Sequence, residues 1–248
     1  MLFILLFSLF LIASCFFVAY FGKKWNLHAF LAFSSGMLLS LCILDFLAHS
    51  FEFDLENSQN SLNPSLFILA GILLQVFADI YLLPWLSFLD PILKVESPKK
   101  KSLYPNFSSF SVFSVVACLT ICSFFDGIRL WTAFNLENFI AFSTAFGLFF
   151  HLLTEGVLIA SLAIVSGFKK HILFILIGIL GFVLILGAFT AQFFASNFSF
   201  KSVLAFSSGC LMYVCFVHLL PASLKSPKKV WFFIGLFSFS ALHFIIPS

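Results

Sequence analysis

Charge is what this chain has least of. Acidic and basic side chains make up 9% of its 248 residues, where a soluble domain carries about a quarter. That scarcity excludes an ordinary soluble fold, and a net charge of only +3 gives no reason to expect nucleic acid as a partner. The first twenty residues hold no charge at all, so the basic n-region of a secretory signal is missing. Ile12-Ala13-Ser14-Cys15 resembles a lipoprotein cleavage box, but apolar sequence continues beyond it to Phe21, which reads as a first membrane span. Cysteines are few. All six lie inside apolar runs, which argues against a disulfide framework and for reduced thiols within the membrane. No phosphate-cradling GxxxxGK loop occurs, so nothing suggests direct coupling to ATP.

Apolar residues fill the space that charge leaves. They make up 62% of the chain, and its mean hydropathy is +1.13. Phe alone accounts for 40 residues spread over every segment, which reads as Phe standing in for Leu and not as an aromatic site. Since a membrane span needs about 20 apolar residues, eight runs qualify: 2–22, 28–51, 64–88, 109–133, 138–167, 172–194, 202–222 and 230–247. The expected fold is an all-α polytopic membrane protein, one domain over 1–248. Residues 90–108, with their prolines and lysine cluster, form its long loop.

Lysine and arginine near span ends set orientation. Lys23, Lys24, Lys94, Lys99, Lys100, Lys101, Lys169, Lys170, Lys225, Lys228 and Lys229 all fall on odd-numbered links, and only Lys201 falls on an even one. The odd links are therefore expected in the cytoplasm, with both termini outside. Leu31-Ala32-Phe33-Ser34-Ser35-Gly36 of span 2 recurs as Leu204-Ala205-Phe206-Ser207-Ser208-Gly209 of span 7. In that register Asp45 matches His218. The two spans run in opposite directions, so the recurrence predicts an inverted repeat of spans 1–3 and 6–8 around spans 4 and 5. Small-residue patches also recur wherever helices pack closely, which is the plainer account.

His151 and Glu155 lie near the middle of span 5. Their i, i+4 spacing puts both on one helical face. Ionisable residues at membrane depth cost a few kcal/mol and are seldom kept without a partner or a task. Span 4 offers the complement: Cys118, Cys122, Ser123, Asp126 and Arg129. A short link joins spans 4 and 5, so they should pack as antiparallel neighbours. Cys122, Asp126, His151 and Glu155 would then offer sulfur, imidazole and two carboxylates, a set suited to Zn²⁺, or to Fe²⁺ or Mn²⁺ where oxygen dominates. Duller accounts stand beside this one. Asp126 could pair with Arg129, Cys122 could fill space, Ser123 could bond its own helix, and His151 with Glu155 could simply join helices. Asp45, His49, Asp79 and His218 are also in or near spans, where helix-end snorkelling or an interhelical bond accounts for each; Asp45 and His218, matched in the repeat, could line an access path.

These motifs give the chain a resemblance to the ZIP (Zrt/Irt-like) family of divalent-metal transporters, over essentially its whole length. Cys122-Ser123-Phe124-Phe125-Asp126-Gly127 stands where the family's span 4 carries a pattern like His-Asn-x-x-Asp/Glu-Gly. His151-Leu152-Leu153-Thr154-Glu155-Gly156 stands where span 5 carries a second one. Ser208-Gly209 through Tyr213, Leu220 and Pro221 is similar to the family's span 7. The resemblance implies eight spans, termini outside, a cytoplasmic loop between spans 3 and 4, and metal uptake through a site between spans 4 and 5. This chain departs from the pattern at Cys122, Ser123 and Leu152, and span 6 (Gly178–Val183) lacks a Glu-Pro pair. One site is therefore expected, built from Asp126, His151 and Glu155 with help from Cys122 and Ser123.

The function this implies is a secondary carrier in the cell membrane, not an enzyme. Its partners would be the transported divalent ion and membrane lipid, with no tightly held cofactor and a homodimer left open. Two other readings exist: a membrane protein whose site has decayed, and an intramembrane metal-dependent hydrolase. The latter would want His-Glu-x-x-His, and Leu152 occupies the glutamate's place.

Overall fold

In a bilayer no water is present to bond the backbone, so an apolar chain must satisfy its N–H and C=O groups within helices. The computed structural model describes residues 2–21, 26–52, 63–82, 109–134, 138–194 and 200–245, and nearly all of them are helical. Helix α1 is Leu2–Phe21. Helix α2 is Leu27–Leu41, which continues through a π-helical turn at Cys42–Leu47 into Ala48–Glu52. Helix α3, Pro64–Phe77, ends in a second π turn, Ala78–Leu82. Helices α4 (Ser109–Phe134), α5 (Asn138–Val165) and α6 (Lys170–Phe194) are uninterrupted. Helix α7 is Phe200–Tyr213, a third π turn at Val214–Leu219, and Leu220–Lys225. Helix α8 is Val230–Ile245.

Among the described residues, six stretches are long and apolar enough to cross a membrane: Leu27–Leu47, Pro64–Tyr81, Val112–Phe134, Ala145–Val165, His171–Phe193 and Ser202–Lys225. Leu6–Tyr20 and Val230–Ala241 are shorter apolar helices. The architecture is an all-α polytopic membrane fold. The predicted loop at 90–108 lies outside the described residues, as does the stretch 53–62 between the second and third expected spans.

Local chemistry sets the helix ends. Asn63 accepts a hydrogen bond from the Ser65 N–H at 3.0 Å, and Pro64 takes the first position of α3, where no N–H is needed. Helix α5 stops at Gly167, whose φ of +83° suits a residue without a Cβ. The following Phe168 N–H then turns back to the Ala163 carbonyl at 2.9 Å.

The bundle is inside-out by the standard of a soluble protein. Phe182, Phe193 and Phe237 point outward, whereas Ser34, Ser35, Gln75, Ser123, Asp126, His151 and Glu155 are buried. Helix α2 packs along α8 and α3 along α7, while α4 packs along α6 and α1 along α5. Glycine makes the first two approaches close. A methyl group at Gly36 would lie 2.0 Å from the Phe232 carbonyl oxygen of α8, and one at Gly235 would lie 2.1 Å from that of Phe33 in α2. At the other crossing, a methyl at Gly209 would meet Ile68 O at 2.1 Å, and one at Gly71 would meet Phe206 O at 2.3 Å. Apolar burial drives no association between helices already in lipid, so contacts of this kind carry the assembly.

Gly71→Ala should therefore force α3 off α7 and lower stability by about 1–3 kcal/mol. Gly178→Ala, where a new Cβ meets nothing within 4 Å, should leave stability unchanged. Thermal unfolding of both variants in detergent checks the pair.

Candidate cation site

Asp126 and Glu155 are each followed by a glycine, and each glycine brings another helix against the backbone there. A Cβ at Gly127 would sit 2.1 Å from the Leu184 carbonyl oxygen of α6, and one at Gly156 would sit 2.8 Å from Leu11 O of α1. The two carboxylates therefore stand on helices clamped from outside by α6 and α1. Asp126, His151 and Glu155 are all essentially inaccessible to solvent.

His151 Nε2 lies 3.0 Å from Asp126 Oδ2 across the α4–α5 interface. The two atoms are close enough for an ion pair, yet neither is in hydrogen-bond geometry with any partner. Ser123 Oγ donates to Glu155 Oε2 at 3.5 Å, a long bond, and Glu155 Oε1 has no partner. Cys122 turns elsewhere. Its Sγ lies 4.0 Å from Cys118 Sγ and donates to the Ser207 carbonyl of α7 at 3.9 Å. The expected residues are thus arranged as two couples, His151 with Asp126 and Glu155 with Ser123, with Cys122 on the α7 side. Among the described residues no three His, Cys, Asp or Glu side chains converge tightly enough to hold a metal as they stand.

Ser123 therefore does not bond its own helix, and Arg129 does not take Asp126 as its partner. Arg129 Nη2 lies 3.2 Å from Asp45 Oδ2 of α2. Its guanidinium carbon sits 4.8 Å above the Phe46 ring, and the edge of that ring meets the His151 imidazole, centroids 5.2 Å apart. Asp45 and Phe46 both belong to the π turn of α2. One side of the site is thus covered by a stack of His151, Phe46 and Arg129, with Asp45 at its end.

A second polar cluster lies nearer the opposite ends of these helices. Asp79 accepts hydrogen bonds from Ser114, from the Tyr213 hydroxyl at 2.8 Å and from His218 Nε2 at 2.8 Å. Gln75 Nε2 adds a bond to the Ser114 carbonyl at 3.2 Å. This ties α3, α4 and α7 together, and Asp79 and His218 both sit in π turns. Sequence reasoning marked Asp79 and His218 as candidates for an interhelical bond. It missed Ser114 and Gln75, and it named Tyr213 only in the span-7 pattern, without a partner. The side chain of His49 lies outside those described.

No protein-family profile matches the chain, and no curated protein is similar to it in sequence.

Removing Asp79 as Asp79→Ala would take the shared acceptor from Ser114, which is buried, and from the half-buried Tyr213 and His218. That should cost about 1–3 kcal/mol or more for the set, whereas Asp79→Asn keeps part of it. Thermal unfolding of the two variants should rank them in that order.

Proposed function

We propose that this protein is a secondary carrier that moves a divalent metal cation across the membrane toward the cytoplasm, using a site between α4 and α5. One observation carries the reading. Asp126 Oδ2, His151 Nδ1 and Nε2, and Glu155 Oε1 are buried ligand atoms with no hydrogen-bond partner. Leaving such groups without a hydrogen bond in a low-dielectric interior is costly. A divalent cation relieves Asp126 Oδ2, His151 Nε2 and Glu155 Oε1 together, because it neutralises carboxylates and accepts the one imidazole lone pair, with Nδ1 left as the N–H of the ring. The 3.0 Å approach of His151 to Asp126 without hydrogen-bond geometry suits two lone pairs aimed at a shared third partner. Glu155 completes the set by turning from Ser123, whose 3.5 Å bond holds it weakly. Imidazole with two carboxylates favours Zn²⁺, and Fe²⁺ and Mn²⁺ are also accommodated by this donor set.

In this reading the chain crosses the membrane eight times as a divergent member of the ZIP (Zrt/Irt-like) family, with α1 and α8 as its first and last spans. The lysine distribution sets the direction, with both termini outside the cytoplasm. The inverted repeat is supported by the reciprocal crossings. Phe33 and Phe206, at matching places in the repeated hexapeptide, are the residues whose carbonyls meet Gly235 and Gly71. Asp45 and His218, matched in the same register, both lie in π turns. Such turns are frequent at functional positions, where the extra residue redirects side chains. The two polar clusters then flank the cation site on its outer and inner sides. That arrangement fits a carrier which exposes one site alternately, and among the described side chains it gives an intramembrane hydrolase no second histidine beside His151.

Purified protein should hold about one divalent ion per chain, lost in the His151→Ala, Glu155→Ala double variant. Metal analysis of the two proteins is the first measurement. Uptake of radioactive zinc, iron or manganese into vesicles, absent in the double variant, is the second. A correctly folded native chain that neither holds nor moves any of these ions ends the carrier reading.

A further inference from the structure

The proposed site does not stop at its ligands. Arg129 is buried, and a lone arginine beside a cation site is at first sight the wrong charge in the wrong place. It sits one helical turn from Asp126 on α4. Asp45 lies against α5 at Gly147, where an added Cβ would be 3.8 Å from Asp45 Oδ2. Gly147 is in turn one helical turn before His151. The Asp45–Arg129 pair therefore forms the layer next to the His151–Asp126 layer, roughly one turn or about 5 Å away along the helices, with Phe46 between them.

Counting the charges that the described side chains bring to these two layers decides what Arg129 is for. Asp45, Asp126 and Glu155 bring three carboxylates, Arg129 brings one permanent cation, and a metal-binding imidazole is neutral. Two negative charges remain, which is what one divalent ion neutralises. Without Arg129 the same interior would hold an excess that a single divalent ion leaves unbalanced. Resting on the carrier reading above, we propose that Arg129 is the charge-setting residue of the cation site. By cancelling Asp45, it holds the site to one divalent ion and keeps the hold on that ion loose enough for release.

Arg129 also uses little of its hydrogen-bonding capacity. Nη2 reaches Asp45, while Nε and Nη1 find no acceptor. A guanidinium kept only to knit helices together would be expected to spend those donors, since bidentate pairing is where arginine gains most. Held by one 3.2 Å contact and the Phe46 ring face, Arg129 contributes its charge with little of its geometry.

The experiment is Zn²⁺ titration by calorimetry, with ions per chain counted, on native protein and four variants in lipid nanodiscs. Arg129→Met should bind Zn²⁺ at least about tenfold more tightly or take a second ion per chain, and Asp45→Asn should bind roughly tenfold more weakly. The double variant Asp45→Asn, Arg129→Met restores the balance and should return to within about threefold of native, as should Arg129→Lys, which keeps the charge. Opposite signs in the two single variants are the signature. A merely structural pair would weaken binding in both, and that result overturns the proposal, as does native affinity in both. If Arg129→Met does not fold, the other variants decide. Weak binding in Asp45→Asn recovered in the double variant upholds the proposal, and weak binding in both refutes it. A native protein that binds no Zn²⁺, Fe²⁺ or Mn²⁺ fails the carrier reading itself, which separates the two failures.

Discussion

The interior of this bundle is arranged around the cost of placing carboxyl groups where water cannot reach them. Asp126 and Glu155 have no accessible surface to speak of, and the hydrogen bonds around them satisfy only part of their oxygens. Burying such groups unpaired costs several kcal/mol each, more than a typical helix–helix contact supplies. The surrounding structure answers that cost in layers. His151 approaches Asp126, Ser123 reaches Glu155, and the next layer outward holds a carboxylate and a guanidinium in contact.

The close helix approaches serve the same end. Gly127 and Gly156 directly follow the two acids, and each lets a neighbouring helix lie against backbone instead of against a side chain. Carboxylates fixed on rigid, clamped helices cannot swing away to the membrane surface, as long side chains near helix ends do. The π turns of α2, α3 and α7 carry Asp45, Asp79 and His218, the carboxylates and the histidine of the two flanking clusters. One extra residue in a turn shifts everything beyond it around the helix. The polar side chains are turned inward by the same irregularity that weakens the local backbone ladder.

The two flanking clusters are built differently. Asp79 receives donors from Ser114, Tyr213 and His218, a carboxylate whose bonds lock three helices together. Asp45 and Arg129 meet at 3.2 Å, beside an aromatic ring that touches the central imidazole.

Much of this was legible in the residue order, for a physical reason. The bilayer makes every backbone group bond within its own helix, so run length alone marked the helices, and an i, i+4 spacing alone put His151 and Glu155 on one face. Ionisable residues in apolar runs stand out for the same cause, which is why Asp45, Asp79, Asp126 and His218 could be picked out beforehand. The partners of Asp45, Asp79 and His218 could not. Asp126 and Arg129 are three residues apart and could have paired on their own helix, yet the turn at Cys42–Leu47 brings Asp45 to the guanidinium and leaves Asp126 to the imidazole of the neighbouring span. Ser114 carries no signal in an apolar run and Tyr213 stood out only as part of the span-7 pattern; the meeting of α3, α4 and α7 at Asp79 gives both their partner. Local periodicity determines which face a side chain is on. Which neighbour waits across that face depends on interhelical packing, and here glycine contacts and π turns from distant parts of the chain decided it.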